Sequence, residues 1–190
     1  MADIPELRKK AEDPMIRVVF RVDASNHIGS GHVMRCLTLA DALQEKGAEC
    51  LFIHRAHVGN MLETIRARGY AVRALPAPAA EGGLEDTSEY ASWLGVPAAQ
   101  DAKETREVLG EEHPDWLVVD HYALDASWEK ELRPVAGSIA ALDDLADRPH
   151  DCDLLLDQNY FPEAEARYSE LVPQAATRLC GPRYALLRPE

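Results

Sequence analysis

The sequence predicts an α/β protein on a doubly wound, mostly parallel, Rossmann-like sheet. Three observations carry that prediction. Short apolar runs alternate with helix-like segments from Ile16 to Leu156. The runs are continuously apolar instead of alternating, as strands are when both faces of a parallel sheet are covered. The first run passes through a glycine-bearing loop straight into a helical pattern, the opening of a βα unit.

The first strand covers Ile16 to Val22. A helix follows from about Gly31 to Lys46, with Val33, Leu37 and Ala40, then Leu43 or Gln44, on one stripe. Gly47 after the basic Lys46 gives it a C-terminal stop. Glu49 to His54 is the second strand. Val58 to Arg68 is a helix that turns Met61, Leu62 and Ile65 inward and stops at Gly69. Tyr70 to Leu75 is the third strand. Pro76 to Glu85, rich in Pro, Ala and Gly, reads as an exposed, mobile loop. A short helix is expected around Glu89 to Leu94, and a longer one from Pro97 to Gly110 with Pro97 at its first position. Trp116 to Asp120 is the fourth strand, Trp128 to Arg133 lies in a further helix, and Ser138 to Leu142 and Leu154 to Leu156 are short strands. The pattern weakens from Tyr160, and the last residues read as an exit from a domain. The polar stretch Met1 to Asp13 reads as a leader or surface helix. The expected organisation is an extension at residues 1–14 and one Rossmann-like domain at residues 15–190.

Composition narrows the function classes. With 46% hydrophobic residues the chain can build a core, and its formal net charge of -13 leaves no general basic footprint for nucleic acid. A phosphorylated small ligand then needs a local positive field from a helix N-terminus or an arginine. No apolar run approaches the roughly 20 residues of a membrane span, so no membrane partner is expected. No signal peptide pattern opens the chain. The scattered Cys36, Cys50, Cys152 and Cys180 contain no Cys-x-x-Cys pair. They read as free, mostly buried thiols of a reducing, cytoplasmic compartment.

Ligands of open α/β sheets sit at the carboxyl ends of strands and the N-termini of helices. The loop Asp23 to His32 is therefore the leading candidate. Gly29 and Gly31 allow close approach to the main chain, Ser30 is placed to cap the helix, and the free amides there suit an anion. His32, in the helix's first turn, is biased by the helix dipole towards its neutral form and is a candidate general base. The plainer alternative is a capping loop with a histidine packed beneath it. The candidate ligand contacts in and after the loop are Asp23, Ser25, Gly29, Ser30, Gly31 and Arg35. A second cluster closes the fourth strand, where Asp120, His121 and Tyr122 face the same crevice if the first and fourth strands are neighbours; otherwise Asp120 caps a turn and His121 is core. Asp143 and Asp144 end another strand, where capping is the simpler role. Asn159 suits an acetamido or hydroxyl group, or an ordinary turn. The histidines form no metal-ligand set, and no Walker loop, serine elbow or full dinucleotide fingerprint occurs. Neither metal nor cofactor is expected.

Arg21-Val22-Asp23-Ala24-Ser25 with Ile28-Gly29-Ser30-Gly31-His32-Val33-Met34-Arg35 closely resembles the opening of the UDP-2,4-diacetamido-2,4,6-trideoxy-β-L-altropyranose hydrolase family of pseudaminic acid biosynthesis. Further segments agree in order: Trp93-Leu94-Gly95-Val96 with Asp101 to Thr105, Val119-Asp120-His121-Tyr122, Asp143-Asp144, and the ending Cys180 to Glu190. The resemblance runs from about Met15 to Glu190. It implies a glycosyltransferase-B-like architecture of two doubly wound halves, with only the N-terminal, sugar-side half present here. It implies metal-free, inverting hydrolysis of a UDP-sugar at the anomeric C–O bond, with His32 as the catalytic residue and Tyr122 at the sugar. A C-terminal domain or partner chain would complete the nucleotide site. A glycosyltransferase half and a non-catalytic sugar-nucleotide-binding domain are the alternatives.

Overall fold

A computed structural model of the chain describes residues 15–78 and 90–187. The chain runs β1 (Arg17–Val22), α1 (Gly31–Gln44), β2 (Glu49–Arg55), α2 (Leu62–Ala67), β3 (Ala71–Leu75), α3 (Ala91–Leu94), α4 (Ala98–Leu109), β4 (Trp116–Asp120), α5 (Ala126–Leu132), β5 (Ser138–Leu142), β6 (Leu154–Asp157) and β7 (Thr177–Cys180). These strands form one seven-stranded sheet in the order β3-β2-β1-β4-β5-β6-β7. Every neighbouring pair is parallel.

Strand periodicity divides the apolar residues between two cores. Val19, Ile53, Leu117, Val119, Ile139 and Leu155 face one side, where they meet Leu109 of α4 and Trp128 and Leu132 of α5. Val18, Phe20, Phe52, Val118 and Ala140 face the other, against Val33, Leu37 and Ala40 of α1 and Ile65 of α2. The stripe read on the first helix is the buried one. The connections from β5 to β6 and from β6 to β7 contain no α-helix.

Several boundaries differ from the sequence reading for local reasons. The second helix begins at Leu62, not Val58. Gly59 turns the chain at φ +80°, and the Asn60 side chain accepts from Leu62 N–H at 3.2 Å. Pro97 lies just before α4, in extended geometry, and not within its first turn. Ser30 makes no side-chain cap on α1; its carbonyl accepts from Met34 N–H instead. β7 is an element the sequence reading lacked. It is short and half-exposed, with Thr177 and Arg178 breaking the apolar run. The extension at residues 1–14, residues 79–85 of the expected loop, Glu89 of the expected short helix and the chain end at Arg188 to Glu190 lie outside the described residues.

The strand order places the site. β1 and β4 are central neighbours, with Val22 beside Asp120 in register. From β1 the chain moves towards β2, while from β4 it moves towards β5. Their carboxyl ends therefore open a crevice at the topological switch point, where ligands of this fold class bind.

Candidate active site

The crevice brings together groups from both central strands. His32 is the second residue of α1, and Asp120 is the last of β4. Their side chains meet at 2.6 Å, His32 Nδ1 to Asp120 Oδ1. With Nδ1–H donating to that carboxylate the lone pair of the ring lies on Nε2; Arg35 Nη2 also lies 3.2 Å from Nδ1. Nε2 has no hydrogen-bond partner among the described residues, and it is not among the fully buried unpaired polar atoms. The residue is 8% exposed, and Nε2 keeps part of that surface. Tyr122 meets the imidazole edge-on with centroids 4.6 Å apart.

Arg35, one turn along α1, grips the same carboxylate with two bonds. Its Nε donates to Asp120 Oδ2 at 2.6 Å and its Nη2 to Oδ1 at 2.5 Å. Burial resists ionisation of Asp120, yet the His32 ring and the Arg35 guanidinium hold it well below the usual carboxylate range. A polar arc continues from there. Tyr122 O–H donates to Asp144 Oδ1 at 2.7 Å, and Asn159 Nδ2 donates to Asp144 Oδ2 at 3.2 Å. Arg35 lies 3.4 Å from the same carboxylate. Burial and the Asp144 carboxylate push the Tyr122 phenol up.

The adjacent acids Asp143 and Asp144 do different work. Asp143 is buried, accepts from Ala146 N–H at 2.9 Å and pairs with Arg148 at 2.8 Å. It builds the loop after β5, while Asp144 reaches into the crevice.

The loop before α1 is self-supporting. Ser25 Oγ accepts from His27 N–H at 3.2 Å and Ile28 N–H at 3.0 Å, and Gly29 N–H donates to Ser25 C=O at 2.8 Å. Gly29 holds φ +76°, and Gly29, Ser30 and Gly31 lie exposed at the helix N-terminus. Nearby, a Cβ on Gly59 would fall 2.2 Å from Asn26 Oδ1, at a φ of +80°. Gly59→Ala is expected to lower the unfolding free energy by about 1–3 kcal/mol, read as a lower urea midpoint. An unchanged midpoint would show that this contact is soft.

Beneath the crevice lies a buried floor of charge. Asp23 is fully buried and accepts from Arg21 at 2.7 and 2.8 Å, from Arg55 N–H at 2.7 Å and from His54 Nδ1 at 2.9 Å. Asp101 on α4 accepts from Arg21 at 2.6 Å, Arg55 at 2.6 Å and Trp128 Nε1 at 3.0 Å. Asp23 thus faces inward and takes its partners from the protein. His121 is also inside, 2% exposed, with Nδ1 accepting from Ala123 N–H at 3.0 Å; burial depresses it to about 3. The candidates that do gather at the crevice are His32, Arg35, Tyr122 and Asn159. Sequence reasoning missed Tyr90 and quoted Trp93 only as part of the resemblance; their rings stand 5.1 Å and 5.9 Å from Tyr122. Tyr90 caps the start of α3 and Trp93 lies within it, and that spacing of two aromatic residues was the available signal.

The acids here fix how stability depends on pH. Burial resists ionisation of Asp23, Asp101, Asp120 and Asp143, but their cationic partners hold all of them low. A group whose folded value is depressed stabilises the fold above its unfolded value and loses that contribution as pH falls through the folded one. Asp157, raised by burial, acts in the opposite sense. The denaturation midpoint is therefore expected to fall progressively below about pH 4. A midpoint that holds or rises between pH 5 and pH 3 would contradict it.

No family model matches the chain. A curated search finds a UDP-2,4-diacetamido-2,4,6-trideoxy-β-L-altropyranose hydrolase from Campylobacter jejuni subsp. jejuni, 31% identical over 176 residues. The chain resembles this hydrolase. The match covers 92% of the chain and 53% of the relative, so the chain spans about half the length of the curated protein it matches. The resemblance read from the motifs is borne out at that level, and the coverage is consistent with an N-terminal half. Among the described residues, no group of three or more His, Cys, Asp or Glu is placed to hold a metal ion, and no helix is long and apolar enough to cross a membrane.

Proposed function

We propose that this chain is the N-terminal, sugar-side half of a UDP-sugar hydrolase of glycosyltransferase-B-like architecture, with the Rossmann-like domain at residues 15–190. The observation that supports it is the Asp120–His32 pair at 2.6 Å, with Nε2 of the imidazole left open at the switch point. His32 Nε2 takes a proton from water. The water oxygen bonds to the anomeric carbon from the face opposite the nucleotide. The C–O bond to the diphosphate breaks, UDP leaves with the electron pair, and the configuration inverts. UDP is a good leaving group, so a general acid is dispensable. Asp120 fixes the imidazole tautomer and balances the charge the ring gains. The exposed N-terminus of α1 supplies positive field in a chain of net charge -13, while the charge of Arg35 is met by Asp120 and Asp144. A C-terminal domain or partner chain supplies the remaining nucleotide contacts. The free diacetamido sugar would then serve pseudaminic acid synthesis in the cytoplasm, without metal or cofactor.

The test is UDP release from a UDP-diacetamido-trideoxy sugar. The chain is assayed alone and mixed with a separately expressed C-terminal half of the curated relative. UDP and free sugar formed without any acceptor support hydrolysis. A strict need for an acceptor sugar would make it a transferase half. No product under either condition would leave a sugar-nucleotide-binding domain.

A further inference from the structure

A cleft of about 410 Å³ lies beside the loop that carries the chain into His32, with Ser25, His57, Trp93 and Gly95 among its walls. The residues already placed in the mechanism do not line it. His57 does, and its surroundings are specific. The residue is 8% exposed. Its Nε2 is fully buried, has no partner at hydrogen-bond distance, and lies 3.6 Å from Asp23 Oδ2. Asp23 is a carboxylate held well below its usual range, burial notwithstanding, by Arg21 and the neighbouring histidines. That anion orients the ring with the Nε2 proton towards it. The lone pair of the neutral ring then sits on Nδ1. Nδ1 is not among the fully buried unpaired atoms and has no protein partner among the described residues, and its residue lines the cleft.

Ser25 supplies the complementary group. Its Oγ already accepts from two loop amides, which leaves its O–H free to donate. Trp93 adds an apolar face. The walls are close-fitting: a Cβ on Gly95 would lie 2.4 Å from Pro78 Cγ and 3.1 Å from His57 Cε1.

We propose that this cleft is an acetamido subsite, in which His57 Nδ1 accepts the amide N–H and Ser25 O–H donates to the amide carbonyl. The inference deepens the UDP-sugar reading and rests on it for the identity of the ligand. An acceptor-only diphosphate would find the Ser25 O–H but would leave the imidazole lone pair unpaired, whereas an amide, which carries a donor as well as an acceptor, fits both groups. His57 is then a specificity residue beside the reacting centre. Its Nε2 lies 3.6 Å from Asp23, beyond hydrogen-bond distance, whereas His32 bonds Asp120 at 2.6 Å; it faces the substituent and not the water.

The experiment follows the histidine ring nitrogens of the ¹⁵N-labelled chain by NMR, titrated with N-acetylglucosamine, glucose or UDP. N-acetylglucosamine is expected to shift His57 Nδ1, glucose and UDP to leave it in place, and His57→Phe to weaken N-acetylglucosamine binding at least tenfold. The His32 signals of that variant should stay put, which shows that its fold is intact. His57→Gln, which keeps an acceptor, should recover part of the binding. A His57 signal unmoved by N-acetylglucosamine, or moved equally by glucose, overturns the proposal. The two readings fail separately. UDP release with kcat/KM altered less than twofold in His57→Phe would remove the subsite and keep the hydrolase. An N-acetylglucosamine shift at His57 without UDP release would keep the subsite and remove the hydrolase.

Discussion

Replacing His32 with leucine is expected to slow UDP release at least about a hundredfold in the complemented assay, with KM little changed. A positioned general base contributes roughly a hundred- to ten-thousandfold, and among the described residues the other groups at this crevice are committed elsewhere. His121 is sealed inside with Nδ1 committed to a backbone amide. Asp144 already accepts from Tyr122 and Asn159. Leucine is close in size to the ring and apolar, as suits the edge against Tyr122. The folded state should therefore survive, and the far-UV spectrum should overlay the native one. His32→Asn offers a second variant that keeps polarity without a base. An undiminished rate in both would take His32 out of the mechanism and leave the crevice a binding site.

Asp120→Asn is expected to cost about a thousand- to ten-thousandfold. The analogous change in a Ser–His–Asp triad loses about ten-thousandfold because the imidazole adopts the wrong tautomer. An asparagine facing Nδ1 can present its amide N–H₂, which drives the ring proton to Nε2, the atom that must receive one. The same substitution removes the anion from Arg35, whose side chain is only 12% exposed. Leaving a buried charge without its partner costs about 3–5 kcal/mol, discounted here because an amide oxygen still accepts one bond. Asp120→Asn should therefore lower both turnover and the urea midpoint, and should lower the midpoint further than His32→Leu, which leaves Asp120 its two bonds from Arg35. If Asp120→Asn retained full activity with a reduced midpoint, Asp120 would be a structural ion-pair partner only.

The sheet was legible because its strands are buried on both faces and read as unbroken apolar runs, Trp116 to Asp120 being the clearest. β7 was not, because an edge strand half in solvent tolerates Thr177 and Arg178. His32 and Tyr122 were legible as candidates because strand tips and helix starts are where such folds hold ligands. What the sequence could not show was direction. Asp23 and His121 sit in the right segments, yet both turn inward to a charge network that depends on Arg21, Arg55 and Asp101 from other elements. The same holds within Asp143-Asp144, just past the end of β5, where one carboxylate pairs with Arg148 and the other with Tyr122 and Asn159. Ser30 was misread as a cap because its residue type suits one, while the geometry is set by the loop bonds of Ser25.

The ionic floor under the crevice bears on motion. Arg21, Asp23, Arg55 and Asp101 tie β1, β2 and α4 together out of reach of water, where salt does not screen them. A foundation so buried and so fully bonded resists local opening. Any clamping around a bound sugar-nucleotide must then come from above, by swinging or settling of whatever completes the cleft. The stiffness of this half would set the shape to which that moving part conforms.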